Sequence, residues 1–152
     1  MADITEGLSV GLVMRSLLIG WASGARSSLG PGAVALTGDG RTVVRIGAAA
    51  GIVGELIGDK LPNAPSRLER GGALFRAAAG AIGASTLARR ASASPVVPVV
   101  AAAVAGFTSA HAGASWRAWA AGRMPDWQAA LLEDAVALGA AALATLPGRP
   151  RA

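Results

Sequence analysis

The sequence predicts an all-α protein, a polytopic transmembrane bundle of about five helices, and three observations lead there. Hydrophobic residues make up 53% of the 152 positions and charged residues only 15%, with a mean hydropathy of +0.49. A soluble domain carries about 25% charged residues, so this chain has too little polar surface to face water on every side. Apolar runs of roughly 17–25 residues, long enough to cross or nearly cross a bilayer, alternate with breaks made of proline, glycine and arginine. Finally, 21 glycines and many alanines allow the close helix approach by which helices associate in lipid. A soluble Ala/Gly-rich bundle is the rival architecture. The length suits one domain, residues 1–152.

The elements follow in order. The opening residues Asp3 and Glu6 do not make the basic start of a signal peptide, so the first apolar run is expected to stay in the mature chain. That run gives a first helix over Leu8 to Ser23. The apolar but broken stretch from Ser27 to Leu36, with Gly30-Pro31-Gly32 inside it, is too short to span; it reads as a re-entrant or half-helix element, or as a short interfacial helix. A second long helix runs from Thr42 to Asp59 and stops at Leu61-Pro62, because proline cannot continue it. Residues 63–72 are polar and rich in Pro and Gly, hence a loop. The third long helix covers Ala73 to Ala88 and ends at Arg89-Arg90. The fourth starts between Pro95 and Pro98, where proline suits a first turn, and reaches Ala120. The fifth follows Pro125, with Asp126 as its expected N-cap, and ends before Pro147-Gly148. Arginine followed by a small-residue stripe recurs at Arg15 to Gly24 and Arg76 to Gly83, a hint of an internal repeat, which chance also produces in so Ala/Gly-rich a chain.

The distinctive content is charge inside apolar helices. Arg15, Glu55, Arg76, Glu133 and Asp134 fall within the predicted helices, with Asp59 and Lys60 at the end of one and His111 inside another. A charge at a helix centre in lipid costs about 2.5–3.5 kcal/mol on insertion scales. Helical spacing turns these groups inward: Glu55 shares a face with Gly47 and Gly51, Arg76 with Gly80 and Gly83, Arg15 with Gly7 and Gly11, and Glu133 with Ala129, Ala137 and Ala141. If the long helices alternate direction, all of these charges lie in one half of the bilayer and can converge on one cavity. The structural alternative is a pair of buried ion pairs, Arg15–Glu55 and Arg76–Glu133 or Asp134, that only fix packing. Arg26, Arg41, Arg89, Arg90, Arg149 and Arg151 would lie on one side of the membrane; Lys60, Arg67, Arg70, Arg117 and Arg123 would lie on the other. The count mildly favours the first side as cytoplasmic.

The string Glu55-x3-Asp59-Lys60-x-Pro62-x2-Pro65-x-Arg67, with Gly24-Ala-Arg26 and Pro125-Asp126-x6-Glu133-Asp134, resembles a family of small bacterial integral membrane proteins known only as a domain of unknown function. The resemblance covers most of the chain and implies a membrane protein without an assigned reaction. In that family a Gly-x-Arg element is followed closely by proline, whereas here Arg26 and Pro31 stand farther apart.

Other classes fit poorly. The absence of cysteine excludes disulfides and cysteine metal sites, and no metal site, cofactor or catalytic residue is assigned. The fourteen basic residues, all arginine but Lys60, are spread along the chain rather than clustered as nucleic-acid binding requires. Lys60 with Pro65-Ser66-Arg67 bears only a faint likeness to lipid phosphate phosphatases, and no Gly-x-Ser-x-Gly elbow is present. The expectation is therefore a small multi-pass protein of a bacterial inner membrane, forming a homo-oligomer in the lipid bilayer and acting as a transporter or channel-like protein. Its charged cavity would be built from Arg15, Glu55, Asp59, Lys60, Arg76, Glu133 and Asp134, and would take a small ion or an anionic solute. A structural or assembly protein, and an intramembrane enzyme acting on a lipid headgroup, are the alternatives.

Overall fold

A computed structural model describes residues 7–58 and 71–146. Among the described residues six α-helices follow one another: α1 (Val10–Ala25), α2 (Leu29–Leu36), α3 (Thr42–Gly58), α4 (Gly72–Arg90), α5 (Val96–Ala120) and α6 (Asp126–Thr145). Among the described residues there is no strand. The five long helices match the apolar runs of the sequence to within a few residues; the sixth element is α2, the broken stretch after the first run. The end of the second run near Pro62, with Asp59 and Lys60, lies outside the described residues.

Local chemistry sets the helix ends. The Ser9 hydroxyl accepts the Leu12 N–H at 3.1 Å, satisfying one of the first-turn donors that a helix leaves without a partner. Pro98 sits in the first turn of α5, where its missing N–H costs no bond. Gly122, at φ +78°, makes the reversal from α5 to α6 in a conformation other residues adopt only with strain. The expected Asp126 cap is a correction. α6 begins at Asp126 itself, Pro125 occupies the cap position, and no side-chain cap bond forms. One place inside the helix, the carboxylate instead takes the Arg117 guanidinium at 2.6 Å.

α1 is the hub, packed against α4, α5 and α6, while α2 lies on α3, α4 and α6. Glycine makes these approaches possible. A methyl group at Gly20 would overlap the backbone of Ala102, one at Gly24 the Gly106 carbonyl, and one at Gly83 the Gly30 carbonyl. The buried apolar core is mostly alanine around Ile19, Leu29 and Val34. Because Leu29, Gly30, Gly32, Ala33 and Val34 are all buried, α2 is a short helix packed inside the bundle.

The outside is apolar as well. Val10, Val43, Phe75, Val104 and Val136 are exposed, while Arg26, Arg76, Glu133 and Asp134 are buried. Among the described residues two helices, α5 and α6, are long and apolar enough to cross a membrane; α1 is apolar but shorter, at 16 residues.

Candidate functional site

The chain breaks between α1 and α2, and the buried charges gather on that break. Arg26 adopts an extended conformation (φ −138°, ψ 108°) while its N–H still closes the last turn of α1 on the Ala22 carbonyl at 2.9 Å. α2 restarts at once, with the Leu29 N–H on the Arg26 carbonyl at 2.9 Å. The interruption exposes final carbonyls of α1 and first amides of α2 inside the bundle, where leaving either unpaired is costly.

Side chains from two other helices, α3 and α4, supply the partners. Glu55 of α3 accepts the Ser27 N–H at 2.8 Å on one oxygen and the Ser28 N–H at 2.7 Å on the other, and also the Ser27 hydroxyl at 2.9 Å. A carboxylate thus sits at the positive end of α2, the sign the helix dipole favours. Arg76 of α4 donates to the Ala25 carbonyl at 2.7 Å and the Gly24 carbonyl at 3.4 Å, placing a cation at the negative end of α1. The two caps also meet, with Arg76 Nη1 at 3.6 Å from Glu55 Oε1. From the opposite side, Arg26 pairs with Asp134 of α6 at 2.5 Å, and its guanidinium is 1% exposed. Four ionised groups from α3, α4, α6 and the break itself therefore hold one interruption of the backbone.

Two cavities flank it. One, about 480 Å³, lies against α2, α3 and α4 and is lined by Ser27, Ser28, Glu55, Phe75 and Ile82. The other, about 430 Å³, lies between α1, α5 and α6, with Trp21, Ser109, Trp116, Leu132, Glu133 and Val136 on its walls.

The expected site is rearranged accordingly. Glu55, Arg76 and Asp134 meet at the break. Arg15 does not: its Nε donates to the Ala144 carbonyl at 2.6 Å, in the last turn of α6. It stands about 16 Å along the helix path from Arg26, so the anticipated Arg15–Glu55 pair does not form. Arg76 meets Glu55 at 3.6 Å, a contact the sequence did not anticipate, because α4 delivers it to the α1 terminus on the α3 side of the break. Glu133 lies one residue from the Asp134–Arg26 pair and is 3.9 Å from Arg117. Asp59 and Lys60 lie outside the described residues. His111 packs against Phe107 at 4.7 Å between ring centroids, with the rings tilted by 53°, and no cluster of metal-binding side chains occurs among the described residues.

The residue that sequence reasoning placed wrongly is Arg26, assigned to the surface as the end of an apolar run. A signal was present. Ser27-Ser28 followed by Leu29-Gly30-Pro31-Gly32 is a helix-start pattern, and a helix starting directly after another leaves its flanking arginine inside. No family model, curated protein or solved structure matches this chain.

Proposed function

We propose that this chain is a multi-pass integral membrane protein, a small transporter or channel-like protein whose solute-handling centre is the α1/α2 break. The observation that carries this reading is the inversion of polarity. Exposed Val, Leu, Ile and Phe cover the helices while two guanidiniums and the Asp134 carboxylate are buried at a helix interruption, with Glu55 half-buried beside them. In water such a surface is unfavourable. In lipid, irregular backbone at depth persists only where protein or trapped water satisfies it, and ionisable groups there mark ion, proton or substrate paths. Half-helix ends aimed at a polar centre are also how many carriers bind ions and anionic groups.

In this reading α1, α3, α4, α5 and α6 cross the bilayer and α2 is the half-helix. The short α1 and α3, at 16 and 17 residues, rise about 24–26 Å and need a modestly thinned bilayer. A bacterial inner membrane and a homo-oligomer belong to the same proposal; light scattering of the detergent-solubilised protein measures the latter. A solute carboxylate could take the α2 amides and Arg76 in place of Glu55, and a cation could take Glu55 in place of Arg76.

One observation favours a second reading. The buried charges are mutually paired, as they would be in an assembly protein whose ion pairs only fix packing. Proteoliposome flux separates the two. Purified protein is challenged with panels of inorganic ions, amino acids, carboxylates and organic cations, alongside Glu55→Gln. Flux above empty liposomes that Glu55→Gln abolishes supports the transporter. No flux in any class, from folded protein, leaves the structural role.

A further inference from the structure

We infer that the groove between α3 and α4, floored by α2, binds an anionic phospholipid. An acyl chain lies in the groove, and the phosphate lies among the arginines where α2 ends. The inference rests on the reading of this chain as a membrane protein, and it concerns which lipid the protein holds, not whether a solute is carried across.

Contacts along α2 fix the directions of its neighbours. Gly30 lies against Ala79 and Gly83 of α4, and the Val34 carbonyl takes Arg90 at 2.8 Å, so α4 runs with α2. Ser27 and Ser28 meet Glu55, while Gly32 faces Ile52, so α3 runs against α2. Both neighbours therefore bring arginines to the end of α2. Arg89 and Arg90 close α4, and Arg41 and Arg45 stand at the start of α3. The space left between the two helices is the cavity of about 480 Å³, with Pro31 of α2, Gly51 of α3 and Phe75, Ala78 and Ile82 of α4 on its lining.

Along both walls the chemistry changes toward the same end. On α4, one stripe at three- and four-residue intervals reads Phe75, Ala79, Ile82, Thr86 and Arg89, passing from apolar to hydroxyl to guanidinium. On α3, the stripe that faces α2 reads Glu55, Ile52, Ala48, Arg45 and Arg41. An amphiphile with an apolar chain and a charged head matches that gradient. The sign of the head follows from the charges at the arginine end. Arg89 donates to the Ser85 and Thr86 hydroxyls at 3.1 and 3.0 Å, and Arg90 to a carbonyl, so their acceptors are neutral. No carboxylate pairs with Arg41, Arg45, Arg89 or Arg90 among the described residues. Asp39, exposed on the loop before α3, is the one described carboxylate at this end; Glu55, Asp126, Glu133 and Asp134 lie at the break or beyond it. Four guanidiniums thus face one carboxylate. The chain ends, outside the described residues, add Asp3 and Glu6 against Arg149 and Arg151, which leaves the surplus unchanged. Basic clusters between helices at a membrane face hold anionic head groups. Exposed Val43, Val44 and Ile46 beside Arg45 offer a second acyl chain an apolar surface.

The test uses two lipids with the same acyl chains and different net charge, dioleoyl phosphatidylglycerol and dioleoyl phosphatidylcholine. Delipidated protein in detergent is titrated with each, and native mass spectrometry counts the lipid retained. Phosphatidylglycerol should be held over phosphatidylcholine by about tenfold or more, and Arg41→Gln combined with Arg45→Gln should erase that preference. Both arginines are exposed, so the double variant should fold. Gly51→Phe, at a position where an added methyl meets no atom within 4 Å, fills the groove without altering a charge and should weaken phosphatidylglycerol by about tenfold as well. Glycerol phosphate, a head group without a chain, should not compete at the concentration of the lipid. Equal retention of the two lipids, a preference that survives the double variant, retention untouched by Gly51→Phe, or competition by glycerol phosphate would overturn the inference. A protein that holds phosphatidylglycerol but carries no solute leaves this inference standing and counts against transport. One that needs detergent but shows no lipid preference sinks this inference alone, and one that stays monodisperse without detergent sinks the membrane reading together with it.

Discussion

Replacing Glu55 by glutamine tests whether the break is held by charge. Its carboxylate accepts two backbone amides, one on each oxygen, and lies 3.6 Å from Arg76. Glutamine presents one oxygen and one N–H₂ group. One α2 amide therefore keeps an acceptor, the other faces a donor, and Arg76 loses the carboxylate charge of Glu55. Hydrogen bonds to charged groups contribute about 1.5–3 kcal/mol each, and breaking one side of a buried ion pair costs about 3–5 kcal/mol. These losses overlap. With side-chain exposures of 16% for Glu55 and 10% for Arg76, the whole should fall near about 3–4 kcal/mol. Arg76→Met should cost a comparable amount, since it also strips the Ala25 carbonyl. The double variant removes both members of this contact at once, so the cycle should show a coupling of about 1–3 kcal/mol. Reversible unfolding in mixed micelles, followed by circular dichroism, supplies the four free energies. Effects that add to within about 0.5 kcal/mol would mean that Glu55 and Arg76 do not act as a unit, and the account of the break would be wrong.

Further outcomes follow from other contacts. Arg15→Met should cost about 1.5–3 kcal/mol, the value of a charged hydrogen bond to one carbonyl, and should add independently to Glu55→Gln in the same micelle assay. Gly20→Ala should prevent stable assembly, because its methyl group would overlap the Ala102 backbone, whereas Gly47→Ala, with no atom within 4 Å, should raise stability by up to about 1 kcal/mol; melting temperatures in detergent separate them. Asp126→Ala should change stability by no more than about 1 kcal/mol, since its carboxylate is 82% exposed and surface pairs contribute little. A larger loss would mean that Asp126 caps α6 after all.

The all-α class, the runs of the long helices and the inward-facing charges were legible because they depend on local quantities. Run length, proline position and three-to-four-residue spacing put Glu55, Arg76 and Glu133 on interior faces, and the structure leaves Arg76 and Glu133 buried and the Glu55 side chain 16% exposed. Pairing was not legible. Which carboxylate meets which guanidinium depends on how helices neighbour one another, and the alternating scheme that joined Arg15 to Glu55 treated α2 as a side feature. α2 shifts the outcome because it turns a helix end into an interior object. Once the α1 carbonyls and α2 amides lie inside, the nearest charges are taken by backbone first and by each other second. The same preference explains other arginines: Arg15 holds a carbonyl in the last turn of α6, and Arg90 holds the Val34 carbonyl near the end of α2 at 2.8 Å. Arginine in this chain answers unpaired carbonyls as much as it answers carboxylates.

The placement of Glu55 on α3 has a mechanical consequence. α1, α4 and α5 touch through backbone at Gly20, Gly24, Gly80 and Gly106, and α2 is set against α4 through Gly30 and Gly83. None of these elements can slide without a clash. α3 has no such anchor. Ile52 is its one buried residue, it packs mainly on α2, and Gly47, Gly51, Gly54 and Gly58 have no atom within 4 Å of an added methyl. The carboxylate that caps α2 is thus also the latch of the least fastened helix. Swinging α3 outward would release both amides and Arg76 in one movement and widen the cavity beside Phe75 and Ile82, and any ligand able to satisfy those three donors would hold the arm open.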